Sequence, residues 1–144
     1  MRRQLFVLVA GTGFMLCGVS ALAHHAFSAE FEAKSPVELT GTVVKTEWIN
    51  PHAWIHIEVK KPDGKTEEWM VEGGTPNTLM RRGVTKDSLP IGAVIKVTGY
   101  QAKDGSNRAN GRDVTYADGR TLFLGSTGTG APSDGPPSAA PKDK

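Results

Sequence analysis

The chain has 144 residues, 38% of them hydrophobic and 22% charged, which suits one domain with one modest core. Lys and Arg outnumber Asp and Glu by 17 to 15, and Arg2 and Arg3 alone make that difference, so without its leader the protein has no basic surplus for a nucleic-acid face. The one cysteine, Cys17, also falls in the leader, which removes disulfides, thiolate metal sites and cysteine nucleophiles from the processed protein.

That leader spans residues 1–23. Arg2-Arg3 is followed by an apolar run from Leu5 to Val19 and by Ala21-Leu22-Ala23, the charged, apolar and small-x-small regions of a secretory signal peptide. The run is too short and glycine-rich for a membrane span, which takes about 20 apolar residues. Phe14-Met15-Leu16 before Cys17 lacks the small residue of a lipoprotein signal. Cleavage after Ala23 is therefore expected to release a periplasmic protein with no stable membrane anchor and His24 as its first residue.

Residues 24–35 read as a lead-in that packs loosely on the domain, with Phe27 and Phe31 at helical or turn-like spacing. Strand alternation then begins: Val37, Leu39, Gly41 and Val43 alternate with Glu38, Thr40 and Thr42, and the glycine eases a bend. Asn50-Pro51 breaks the chain. A second strand follows, with Ala53, Ile55, Ile57 and Val59 on one face and Trp54, His56, Glu58 and Lys60 on the other. Pro62-Asp63-Gly64-Lys65 predicts a hairpin with a type I′ turn, and Thr66 to Glu72 return as a third strand.

The period then changes. Thr75-Pro76 is an N-cap followed by proline at the first helical position, and Gly83 ends a helix of about two turns. Leu89-Pro90-Ile91-Gly92 turns into a fourth strand, Val94 to Tyr100; a polar loop leads to a fifth, Arg108 to Tyr116, and a short sixth covers Thr121 to Leu124. The order β-β-β-α-β-β over residues 36–124 is that of an oligonucleotide/oligosaccharide-binding (OB) fold, a small mainly β Greek-key barrel with one short helix. The rival is an open antiparallel sheet crossed by one helix. Residues 125–144, rich in Gly, Ser and Pro and without large apolar side chains, read as a disordered tail.

Four segments carry a resemblance: His24-His25-x-Phe27 at the mature start, Trp48-Ile49-Asn50-Pro51-His52-Ala53-Trp54, Leu79-x-Arg81-Arg82-Gly83, and Gly99-Tyr100-x-Ala102-Lys103-Asp104-Gly105-Ser106. Together, from His24 to about Phe123, they resemble a family of small exported proteobacterial proteins of unknown function. The resemblance implies export and an OB-like domain, and it transfers no activity.

All four histidines, His24, His25, His52 and His56, lie in the mature chain. A terminal His24 offers its α-amine and ring Nδ1 as a chelate, and amine and imidazole nitrogens suit copper above other divalent first-row metals. If Pro51 to Val59 is extended, His52 and His56 share a strand face but sit about 13 Å apart by strand rise, too far to hold one ion together unless the start of that segment curls. The alternative is that terminal histidines are simply solvated and strand histidines pack beside tryptophan.

A second candidate is an aromatic ligand face of Trp54, Glu58 and Trp69, provided that the hairpin register sets Trp69 opposite Glu58; a one-residue slip reverses this. Trp48 and Trp69 serve a core equally well. Arg81-Arg82 and the Asn107, Arg108, Asn110, Arg112 group are weaker candidates that solvation or a polar turn also explains. No carboxylate pair at catalytic spacing, phosphate loop or metalloprotease helix is present. The sequence thus points to a non-enzymatic periplasmic module that binds copper or a small ligand through these histidines and an aromatic face. The alternative is a metal-free accessory that docks on an envelope protein.

Overall fold

The computed structural model describes residues 27–125 and 131–132; the expected signal peptide, His24 and His25 lie outside them. A helical turn over residues 27–30 leads into β1 (Phe31–Trp48), which is followed by β2 (Ala53–Lys60), β3 (Thr66–Glu72), α1 (Pro76–Arg81), a 3-10 turn at Lys86–Ser88, β4 (Val94–Ala102), β5 (Arg108–Tyr116) and β6 (Thr121–Phe123). The strands hydrogen-bond in the order β3-β2-β1-β4-β5-β6, and a further parallel pairing of β3 with β5 closes the first five into a ring. The rival open sheet is therefore excluded, and the fold is the small OB-like barrel expected, with its helix between β3 and β4.

One long strand serves two neighbours. The first part of β1 pairs with β4 from Phe31↔Ala102 to Thr42↔Val94, and its later part pairs with β2 from Gly41↔Val59 to Trp48↔Ala53. Gly41 stands at the handover, where a Cβ would come within 2.6 Å of the Glu58 carbonyl oxygen. The glycine thus permits close strand approach at the place where the sequence suggested a bend. A register shift between Val43 and Lys45 adds curvature.

Inward-facing residues of every barrel strand build the core. Val43, Ile55, Ile57, Val71, Ile95, Val97 and Val114 are all at most 1% exposed. Leu79 of α1, together with Val84 and Leu89 from the segment after it, joins the same cluster and so plugs the barrel. The Thr75 hydroxyl accepts from the Thr78 amide at 3.2 Å, and Pro76 occupies the first turn. Gly83, at φ 77°, lets the chain turn out of the helix as predicted.

Three local expectations change. The β2–β3 hairpin lacks a type I′ turn, because Asp63 has no positive φ; Pro62-Asp63 makes an ordinary turn closed by the Gly64 amide on the Lys61 carbonyl (3.0 Å), with Gly64 alone at φ 84°. The lead-in is anchored: Phe31–Ser35 belongs to β1, and Phe27 and Phe31 are 4% and 2% exposed, forming a second small cluster with Ala102 against Tyr100. Two bulky aromatics outweigh the polar residues between them. At the other end, Gly125 is buried and its amide donates to the Arg112 carbonyl, while Ala131 packs on the second cluster. The remainder of the expected tail lies outside the described residues.

Closure needs tight backbone approach where β4 and β5 cross. A Cβ on Gly99 would lie 2.1 Å from the Asn110 carbonyl oxygen, beside a register shift at Thr98/Gly99. Gly99→Ala is expected to cost about 2 kcal/mol by overpacking and to lower Tm by about 10 °C. An unchanged melting curve, followed by circular dichroism, would show that the strands do not meet this closely.

Candidate functional site

Alternation on β2 leaves Trp54, His56 and Glu58 on the outer surface of the barrel, and pairing sets their neighbours. The outer residues run in two rows. One crosses Glu47 (β1), Trp54 (β2), Glu72 (β3), Asn110 (β5) and Tyr100 (β4); the other crosses Lys45, His56, Met70 and Arg108. Closure of the barrel by β3 and β5 makes each row continuous.

Both imidazoles of this face are held by carboxylates. His52, at the mouth of β2, forms an ion-pair contact through Nδ1 with Glu72 Oε1. Glu72 is itself only 6% exposed, and its other oxygen accepts from Asn110 Nδ2 at 3.2 Å. His56 Nδ1 donates to Glu68 Oε1 at 2.6 Å. The opposite ring nitrogen, His56 Nε2, is buried without a hydrogen-bond partner and faces Glu47 Oε1 at 3.7 Å. Lys45 contacts that same Glu47 oxygen. The Lys45 hydrogen bond is the main reason that the Glu47 carboxyl sits below the ordinary glutamate range; partial desolvation opposes it and the charge of Lys45 assists.

Trp54 is half-buried between the histidines, with the Arg108 guanidinium 5.5 Å from its ring centroid. Arg108 also donates to Glu30 Oε2 at 2.8 Å, which ties the helical turn at residues 27–30 to the Trp54 face. Nearby, Phe27 meets Tyr100 edge-on at 5.5 Å. Phe27 and the turn that it opens are thereby fixed beside the first outer row.

The expected aromatic face is only partly assembled. The hairpin pairs Ile57 with Trp69 and Glu58 with Glu68, one residue from the register that would set Trp69 opposite Glu58. Trp69 therefore turns inward and is 8% exposed, a core residue, while Glu58 stays outside with Trp54. The three-residue loop at Pro62–Gly64 accounts for the slip, since a two-residue I′ turn would shift the register. Among the weaker candidates, Arg82 donates to the Gly125 carbonyl at 2.9 Å and lies over the Phe123 ring, so it braces the barrel end; Arg108 and Asn110 join the outer face.

Glu47, Glu68 and Glu72 went unrecognised in the sequence because their relation to the histidines is cross-strand. The alternation of Glu68, Met70 and Glu72 marks one face of β3, yet only the register shows that this is the face of His56. Among the described residues no three His, Cys, Asp or Glu side chains gather as a metal-holding group. None of the described helices is long and apolar enough to cross a membrane.

Fold and face together define an OB-like barrel with a polar outer surface of carboxylate-bound imidazoles around a tryptophan. The chain belongs to a family of unknown function, DUF6152, whose model matches residues 13–111. No curated protein and no solved structure gives a significant match.

Glu72 links three elements, so Glu72→Ala is expected to cost about 1–3 kcal/mol by leaving His52 and Asn110 without their shared acceptor. Asn110→Ala should cost less, and the double variant less than the sum of the two in urea melts. Additive losses would mean that the Asn110–Glu72 contact carries no energy.

Proposed function

We propose that this protein is an exported, periplasmic binding module and that its ligand is a metal ion, copper being the one its donors favour. The ligands would come from His24, His25, His52 and His56, with the terminal amine and ring of His24 forming the chelate and His52 joining from the barrel. No catalytic residue is proposed. The observation that carries this reading is that Nδ1 of both barrel histidines sits on a carboxylate, leaving Nε2 as the donor. That is the arrangement in which histidine meets metals in proteins, since the carboxylate fixes the tautomer and makes the ring more basic.

Chain length supports a meeting of the two histidine groups. Phe27 packs on Tyr100, and the row Tyr100, Asn110, Glu72 ends at the His52 carboxylate partner, two strand spacings or about 10 Å across. Three extended residues from Phe27 back to His24 reach about 11 Å before the side chain is counted. Each barrel histidine offers a single free ring nitrogen, so the terminal histidines are needed to complete a set.

The reading depends on a free amine at His24. Correctly processed protein should bind Cu(II) at least tenfold more tightly than a version with one extra residue before His24, measured by titration against a competing chelator. Equal affinities would remove the terminal chelate. Protein isolated from its own envelope without metal, but with a stoichiometric protein partner, would favour a docking accessory instead.

A further inference from the structure

On the outer face of β1 and β2, one histidine of that set, His56, faces a carboxylate that the amino-terminal chelate does not use. His56 is 6% exposed, its Nδ1 is committed to Glu68, and its Nε2 is buried with no hydrogen-bond partner. A neutral imidazole so oriented presents a bare lone pair in a place without a donor, an arrangement that costs free energy unless something occupies it. Glu47 Oε1 lies 3.7 Å from it, beyond hydrogen-bond range.

A divalent cation answers that geometry. Metal–nitrogen and metal–carboxylate bonds of about 2.1 Å each span up to about 4.2 Å, so one ion bonded to both groups at their existing separation would subtend an angle of about 120°. We propose that His56 Nε2 and Glu47 Oε1 form a divalent transition-metal site of the zinc or copper class, with Glu68 as the positioning carboxylate behind the ring and Lys45 as the internal cation that holds Glu47 in the metal's absence. Water completes the coordination. The Glu47 side chain is 27% exposed and that of Lys45 58%, so the site opens to solvent through the lysine, which swings away as the ion enters. Carboxylates outnumber cations on this face, Glu47, Glu58, Glu68 and Glu72 against Lys45, Lys60 and Arg108, and Glu58 and Glu68 stand directly opposite each other, which favours a bound cation. This site needs neither His24 nor His25 and goes beyond the proposed chelate.

Zinc, being diamagnetic, is the probe. In processed protein carrying His24→Ala and His25→Ala, Zn(II) titration followed by ring 15N shifts should move Nε2 of His56 to saturation and leave its Nδ1 in place. Glu47→Gln should weaken that binding at least tenfold, Glu68→Gln about tenfold by loosening the ring, and Lys45→Met should strengthen it severalfold. Glu47 and Lys45 are solvent-facing, so their variants are expected to fold; an unchanged melting curve confirms it. His56 ring signals that ignore millimolar zinc, a ring already carrying protons on both nitrogens at neutral pH, or equal affinity in Glu47→Gln would each overturn the site. Loss of all binding in the double histidine variant, with binding intact in the unaltered protein, sinks this site and leaves the chelate standing. The converse result, in which zinc still binds the double variant but extending the chain before His24 has no effect, sinks the chelate alone.

Discussion

The parallel pairing of β3 with β5 is the constraint on which the rest depends. It is short, from Met70↔Arg108 to Glu72↔Asn110, yet it converts an open sheet into a five-stranded ring. On the inside it brings Val71 against Ala109. On the outside it aligns Glu72 with Asn110 and Met70 with Arg108, so that side chains from five strands form one continuous surface. Glycines at 99 and 111 make it sterically feasible, because a Cβ on Gly111 would come within 2.6 Å of Val71 and one on Gly99 would strike β5.

Closure also explains why polar groups on the outer surface are as buried as a core. Glu72 and His56 are each 6% exposed although both point away from the barrel interior. Each lies between strands whose neighbouring side chains are long: Lys45 and Met70 flank His56, and Trp54 and Asn110 flank Glu72. Desolvation there is offset only by specific partners, and the two histidine–carboxylate pairs supply them. The pairing of Glu58 with Glu68 runs against this logic, since like charges directly opposite destabilise a sheet. His56 relieves it in part by taking Glu68.

Most of the fold was legible in the sequence because binary alternation and turn residues are local signals. Ala53 to Lys60 reveal both faces of β2 unaided, and Thr75-Pro76 with Gly83 bracket the helix. The site was legible only by half, for a physical reason. His52, Trp54 and His56 announce a shared face by spacing, but their partners Glu47, Glu68 and Glu72 arrive by pairing across strands, and pairing depends on the turn. A three-residue loop at Pro62–Gly64 in place of a two-residue one was enough to send Trp69 inward and bring Glu68 opposite Glu58. The lead-in was misjudged for the opposite reason: Phe27 and Phe31 are few but large, and Tyr100 and Ala102 give them a surface that local pattern does not reveal.

The inner and outer halves of the barrel therefore answer to different pressures. The inside is an apolar core from Leu39 to Leu124, aliphatic apart from Trp69, that any OB-like barrel needs and that carries no information about a ligand. The outside of β1, β2, β3 and β5 holds two imidazoles, a tryptophan, an arginine and several carboxylates in places where a merely soluble surface would do with exposed Lys, Glu or Thr. Burying such groups costs free energy, and an apolar substitute at His56 would spare the protein an orphaned ring nitrogen. A barrel whose stability rests inside has no structural need for that arrangement. The buried imidazole nitrogen without a hydrogen-bond partner, 3.7 Å from a carboxylate oxygen, is thus the feature of the outer face that the stability of the barrel does not explain.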